Sequence, residues 1–478
     1  MSHEWEIENF LDIRNNQLHI DGVSTVELAG EYGTPLFVFS ESRIRHNIAR
    51  LQKAKDAIGC PLKICYAAKA NSTMAILHAV KDAGIDIEVN SGGELWKVLQ
   101  AGFTGHQIIF NGTSKDVWEI ENAINAGIYA IQVDSLYELS LIEETARRLN
   151  KRANVSLRLV PEIESGTHSG LQTALLTSKF GMMPEEAFSA FRDHYDSPHL
   201  DLCGIHLHIG SQNPDPVAYT AALETLYDGL KQIYHETGKR LRHVNIGGGF
   251  PVNYLRDRSL ESSFPDEQRQ MFEADFEPSE AIEAAWHAIR EAVGSADGAH
   301  LFDNLTLLLE PGRSVIADAG ICLTTVRNAK QRPVMSEPSG VAGGLRSDQT
   351  DKWLLTDAGF NILLSMETYK WYYHLISATR AGEAHDFPYK LAGPLCDGGD
   401  VYFDHEGQHR LPDHRPLPEN VAPGEILALL NCGAYTVAQE SQYNGRFLPA
   451  VVLIRSSGDA QLIRKRESFE DLIANDVF

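Results

Sequence analysis

Between Lys63 and Glu310, short apolar runs alternate with longer amphipathic stretches, and this alternation constrains the fold more than any other feature of the chain. Eight runs read as strands: KICYAA (63–68), IDIEV (85–89), QIIF (107–110), IYAIQV (128–133), NVSLRLV (154–160), CGIHLHI (203–209), HVNIGG (243–248) and LTLLLE (305–310). The segments between them, such as LYELSLIEETARRL (136–149), repeat apolar residues every three or four positions, the spacing of one helix face. Parallel neighbours need a crossover of this length. Eight β/α units in succession therefore predict a TIM barrel, an α/β fold whose chemistry sits where strands end and loops begin.

Beyond Ala317 the texture changes to strand-like runs broken by Gly, Pro and Asp, as in an antiparallel β domain. The early run TPLFVFS (34–40) is placed to add a strand to it. The expected division is 1–40 with the β domain, 41–316 as the barrel and 317–478 as the C-terminal β domain. Polar insertions at 255–278 and 330–351 read as mobile loops or lids.

A net charge of −23 repels phosphate backbones and anionic lipid, so neither nucleic acid nor membrane is an expected partner. The start, MSHEWEIENF, lacks the basic and apolar parts of a signal peptide, so a cytoplasmic protein is expected. Six cysteines without a CxxC pair suggest neither a metal site nor a disulfide framework.

Lys69, Glu88, His208, the Gly247–Gly249 triplet and Glu310 each fall at or just past the end of a different strand run. Singly, each has a bland explanation: a solvated lysine or glutamate, a core histidine, a tight turn. Together they form a pattern expected of a barrel active site. A lysine closing a buried strand loses its proton more easily than one in water, and the neutral amine can form a Schiff base with an aldehyde.

KICYAAKAN (63–71), HLHIGSQ (206–212), NIGGGF (245–250), EPGR (310–313), CDGGD (396–400) and GAYT (433–436) occur in an order that resembles the fold-type III pyridoxal-phosphate decarboxylases acting on diaminopimelate, ornithine and arginine. The resemblance implies an alanine-racemase-like barrel with a β domain, pyridoxal 5'-phosphate as cofactor and a small amino acid as substrate. It assigns Lys69 as the covalent cofactor lysine and Glu310 as partner of the pyridine nitrogen. His208 matches the histidine stacked on the ring, and Glu88 an acidic residue of the cofactor site. Gly247, Gly248, Gly249, Ser211, Gly312, Arg313 and Tyr435 match the phosphate side, where glycines bring backbone N–H groups close. His206, two residues before His208 on the same strand face, is a supporting candidate. Cys396 matches the thiol that protonates the carbanion, from a loop that in this family completes the partner's site, so a homodimer is expected. Asp397 matches a residue near the distal amine.

Diaminopimelate decarboxylases usually follow the DAG-type strand with an arginine and a tyrosine that grip the distal carboxylate. Those positions hold Ser365 and Tyr369, and a hydroxyl does not replace a bidentate guanidinium. The texture of DAGF and CDGGD is closer to the branch acting on D-lysine and D-ornithine, the favoured substrates on this reading. Lys370 or Arg380 as a substitute cation would restore meso-diaminopimelate. A siderophore-pathway decarboxylase of a conjugated amino acid is a further alternative, as is a racemase, against which the Cys396 loop argues. A non-enzymatic homologue acting by heterodimerisation would be expected to have lost Lys69, Glu310 or Cys396; all are intact.

Overall fold

The eight apolar runs form eight strands that close on themselves. In this computed structural model, which describes residues 7, 10–160, 178–255, 266–293, 299–335 and 345–477, the barrel strands are Leu62–Ala67, Asp86–Val89, Ile108–Phe110, Ala130–Val133, Ala153–Arg158, Leu200–His206, His243–Asn245 and Thr306–Leu309. Each pairs in parallel with the next, and the last returns to the first through Leu307 opposite Leu62 and Leu309 opposite Ile64. Strands covered on both faces are apolar along their whole length rather than alternating. Ile108–Phe110 and Ala130–Val133 are buried at every position.

The intervening helices follow their sequence signals. Ser91 and Ser135 cap Gly92–Gln100 and Leu136–Arg148 by accepting the N–H of Glu94 and Glu138. Leu136–Arg148 buries Leu139, Ile142 and Ala146, the predicted three- and four-residue stripe. Its buried Glu138 receives Lys115 Nζ at 2.7 Å, so neither charge is buried alone.

The chain divides into two compact units, the barrel (44–252 and 273–316) and a sheet-rich unit made of 1–43, 253–272 and 317–478. The sheet-rich unit thus takes 253–272 out of the stretch expected for the barrel. The rings of Tyr254 and Phe272 meet Trp371 edge-on, with centroids 5.1 and 5.2 Å away, which accounts for that assignment.

The main sheet runs Arg415–Leu417, Phe387–Ala392, Leu345–Thr356, Gly320–Met335, Leu36–Ser40, Ala450–Ile454 and Ala460–Arg464. The run expected to contribute an early strand lies in its middle, antiparallel to Gly320–Leu323 and parallel to Ala450–Ile454. A second parallel pairing joins Trp353–Leu355 to Lys390–Ala392, so the sheet is mostly but not wholly antiparallel.

Of the two expected lids, 256–265 and 336–344 lie outside the described residues. The flanks of the second are not loop: Lys330 pairs with Trp353 and Arg332 with Asp351, extending a long hairpin. Strand pairing overrides the polar composition there. Helix Asp266–Phe272 lies within the first. Among the described residues, no helix is long and apolar enough to cross a membrane.

Candidate active site

Lys69 lies in the 3₁₀ turn Ala68–Ala70, directly after strand Leu62–Ala67. Lys69 is exposed while Ala68 and Ala70 are fully buried, so the burial expected at the strand end is that of its neighbours.

The carboxylates sit deeper. Glu310, just past strand Thr306–Leu309, is buried and accepts Asn245 Nδ2 at 2.7 Å on Oε1 and Asn111 Nδ2 at 2.8 Å on Oε2. Asn111 also donates to Glu88 Oε1 at 2.7 Å, so one amide ties two buried carboxylates together. Sheet register makes this possible: Asn245 faces Leu308, two residues before Glu310, and Glu88 faces Ile109, two before Asn111. Burial first, and then Glu88, pushes the pKa of Glu310 up to about 7, against the lowering pull of Asn245, Lys69 and Asn111.

His206 and His208 diverge in role. His206 is buried with Nε2 3.6 Å from Glu310 Oε2. Burial, then Arg158 and His208, holds its pKa well below the ordinary value, so the contact is dipolar, not ionic. His208 keeps some surface open, yet burial of its ring and the charges of Lys69 and Arg158 also hold it neutral. Its Nδ1 accepts the Gly248 N–H at 3.1 Å, which leaves the proton of the neutral ring on Nε2.

The glycine triplet threads between this strand end and Glu310. A Cβ on Gly247 would lie 2.3 Å from His208 Nδ1, one on Gly248 2.2 Å from the Glu310 carbonyl oxygen, and one on Gly249 2.5 Å from the Gly210 carbonyl oxygen. Gly247 and Gly249 also have φ of 69° and 88°, the region glycine tolerates best. Of the three N–H groups, Gly247 donates to Asn245 Oδ1 and Gly248 to His208 Nδ1, while Gly249 N–H has no partner among the described residues. Close approach, more than donor supply, is what requires glycine here. Beside it, Arg313 is buried and donates through Nε and Nη2 to Ser211 Oγ at 3.3 and 3.2 Å, and Gly312 is buried next to it.

Three members of the cluster escape the motif reading: Asn111, Asn245 and Arg158. Arg158, buried at the end of strand Ala153–Arg158, lies over the Phe180 ring at 4.3 Å. All three are at barrel strand ends, so the positional rule that selects Glu88 would also select them.

The remaining candidates belong to the sheet-rich unit. Cys396 and Asp397 are exposed. Cys396 N–H donates to Asn444 Oδ1 at 2.6 Å, and Asp397 accepts Gly399 N–H at 2.9 Å and Tyr443 Oη at 3.2 Å, so it also closes a turn. Asp400 beneath them accepts the N–H groups of Phe360 and Leu395 at 2.9 and 2.8 Å. Tyr435 holds φ of 58°, a conformation that costs a bulky residue energy and marks a constrained position. Ser365 is buried and Tyr369 half-buried at the ends of a helical turn. The two candidate replacement cations are engaged elsewhere: Lys370 pairs with Glu367 at 2.9 Å, and Arg380 with Glu425 at 2.8 Å and Glu383 at 2.9 Å.

The barrel cluster fits pyridoxal phosphate. The glycine cradle that any Cβ would fill, the open Gly249 N–H and the Arg313–Ser211 pair suit a phosphate. A buried, amide-held carboxylate suits a pyridine nitrogen, and the buried polar atoms Glu88 Oε2 and Asn111 Oδ1, unpartnered among the described residues, await a polar neighbour.

Comparison with known proteins agrees. The model of the pyridoxal-dependent decarboxylase pyridoxal-binding domain matches residues 43–317. The chain is 32% identical to the diaminopimelate decarboxylase of Methanocaldococcus jannaschii over 98% of this chain and 96% of that one. It is also 32% identical to that of Bacillus subtilis, over 97% of each. The crystal structure of the M. jannaschii enzyme in co-complex with L-lysine matches with a TM-score of 0.80 at 32% identity, covering 98% of both chains.

Proposed function

Because the chain belongs to the pyridoxal-dependent decarboxylase family, and is a pyridoxal-phosphate-dependent amino-acid decarboxylase, we propose that it removes one carboxyl group of meso-diaminopimelate as carbon dioxide, leaving lysine. The observation that carries this reading is the near-full-length similarity, at 32% identity, to relatives named for that substrate. The relatives' names favour this reading over the sequence-based preference for D-lysine and D-ornithine, which is kept as the second reading.

Pyridoxal phosphate, when bound, supplies a sink for the electron pair that carbon dioxide leaves behind. Lys69 would hold it covalently through its amine, at the end of the first barrel strand. Arg313, Ser211, Gly249 N–H and Tyr435 would hold the phosphate. Glu310, with an amide on each oxygen, would meet the ring nitrogen; a positive partner there lowers the carboxyl pKa from about 7 and keeps the pair ionised. Neutral His208 would cover the ring face without adding a competing positive charge. Cys396 would return the proton to the substrate carbon, and its exposure on a loop supports a homodimer in which that loop serves the partner protomer. Asp397 and Tyr369 would face the far end of the substrate.

One observation favours the second reading. Ser365 stands where the resemblance calls for an arginine, and Lys370 and Arg380 already answer carboxylates of their own unit. A substrate without a distal carboxylate needs no such cation. The test is carbon dioxide release by the cofactor-loaded protein on meso-diaminopimelate, D-lysine, D-ornithine and the two L-forms in parallel. Preference for meso-diaminopimelate supports the proposal; turnover of the D-diamino acids alone replaces it with the second reading.

A further inference from the structure

The sheet-rich unit holds a cavity of about 650 Å³ that none of the roles above uses. Among the described residues, three arginines line it, Arg327, Arg446 and Arg466, against one carboxylate, Asp357. In a chain of net charge −23, that is a local excess of positive charge.

Asp357 cannot balance all three. Its Oδ1 accepts Thr324 Oγ1 at 2.7 Å and Thr325 N–H at 2.9 Å, and its Oδ2 accepts Thr34 Oγ1 and Arg327, both at 2.7 Å. Arg446 and Arg466 are anchored by backbone carbonyls instead: Arg446 Nη2 to Pro394 at 2.9 Å, and Arg466 Nη2 to Pro35 at 2.7 Å. A carbonyl orients a guanidinium without neutralising it, and among the described residues each fork has donors left over. Glu467, next to Arg466 in the chain, is turned to the Leu448 N–H and to Gln442. Burial lowers the pKa of Arg466 and Asp357 only partly opposes it, so an anion beside it would restore what burial removes. Leu355, Ile362, Phe447 and Phe469 give the cavity apolar wall, with the rings of Phe447 and Phe469 meeting edge-on at 5.0 Å, and Thr34, Asn328, Thr356 and Asn361 add neutral polar groups.

We propose that this cavity binds a small dianion, a phosphate or a dicarboxylate, gripped by Arg446 and Arg466. Its volume lies within the range of small-molecule sites. Its position gives the occupant a lever. Residues 443–446 hold the Cys396 loop by three bonds: Arg446 donates to the Pro394 carbonyl, Tyr443 Oη donates to Asp397, and Asn444 Oδ1 accepts the Cys396 N–H. An anion that draws Arg446 from the Pro394 carbonyl loosens the loop at its root.

The test is calorimetry on the pyridoxal-phosphate-loaded protein, whose cofactor phosphate site is filled. Inorganic phosphate and succinate are titrated separately against sodium chloride of matched ionic strength. Binding of either that weakens roughly tenfold in Arg446→Gln supports the site, the expected loss for a charge-assisted hydrogen bond. Asn328→Asp adds a negative charge to the lining without removing a side-chain bond, and decides the matter if Arg446→Gln fails to fold. Phosphate alone or succinate alone identifies the anion. No heat above the salt blank for either, or binding that Asn328→Asp leaves unchanged, overturns the proposal. Neither outcome depends on the amino-acid substrate.

Discussion

The barrel-end cluster and the Cys396 loop are built in opposite ways. Around Glu310 the polar side chains are buried and mutually fixed: two amides hold one carboxylate, one of those amides holds a second, and a histidine nitrogen pins the glycine loop. Around Cys396 the side chains are exposed and tied to the unit by few bonds. The contrast separates two duties. A group that never changes, the cofactor, rewards a site determined before it arrives, because preorganised dipoles cost nothing at the moment of reaction. On the proposed reading the substrate is met from the exposed Cys396 loop, where Asp397 stands with few ties to its unit.

The largest effect that would test this division is at Lys69. Lys69→Ala is expected to abolish turnover and the covalent cofactor link, read by mass after borohydride reduction; a retained, reducible adduct would show that another amine does the work. Next is Cys396→Ala, for which a rate loss of roughly 10²- to 10⁴-fold is expected for a missing proton donor. Its melting temperature should stay at the wild-type value, and a clear drop would mean the loop is more tightly built than its few bonds suggest.

A pair of glycines sharpens the comparison. Gly248→Ala places a Cβ 2.2 Å from the Glu310 carbonyl oxygen, whereas Gly398→Ala, in the Cys396 loop, meets nothing within 4 Å. The first should cost about 1–3 kcal/mol of stability and weaken cofactor retention, and the second should stay within about 0.5 kcal/mol. Equal costs in denaturant titrations would erase the distinction.

The smallest effect is a pH dependence. With its pKa raised from 4.5 to about 7, Glu310 in the cofactor-free protein keeps a proton that the unfolded chain releases. Its contribution to stability is therefore fully present below about 4.5 and is lost as pH rises to about 7. The melting temperature of the wild type relative to Glu310→Gln should fall across that window. A constant difference would mean that the buried carboxyl ionises as it does in water.

The barrel was legible because each of its strands is an unbroken apolar run between helix-length segments, and a parallel strand buried on both faces needs no alternation to be seen. Lys69, Glu88, His208 and Glu310 were legible from their places at strand ends. Asn111 and Asn245 were not, because their importance lies in what they face: a neighbouring strand's register brings Asn245 to Glu310, and a single amide reaches two carboxylates. Gly248 is similar, since the atom that excludes a Cβ belongs to Glu310, far along the chain. The left-handed backbone of Tyr435 carries no sequence mark at all. The pairing of Lys330 with Trp353 and Arg332 with Asp351 was missed because polar strand residues share the composition of loops.

The strand Leu36–Ser40 is buried at all five positions, yet its sheet neighbours are Gly320–Leu323 and Ala450–Ile454. During synthesis at about 5–20 residues per second, this sticky segment leaves the ribosome roughly 20–80 s before its last partner is made. Meanwhile the whole barrel is translated behind it. The nascent chain thus carries an unpaired apolar edge, a template for aggregation, through most of its birth. Chains cut short before Ala450 should fail first as poor yield in the cell, well before any assay of chemistry could be run.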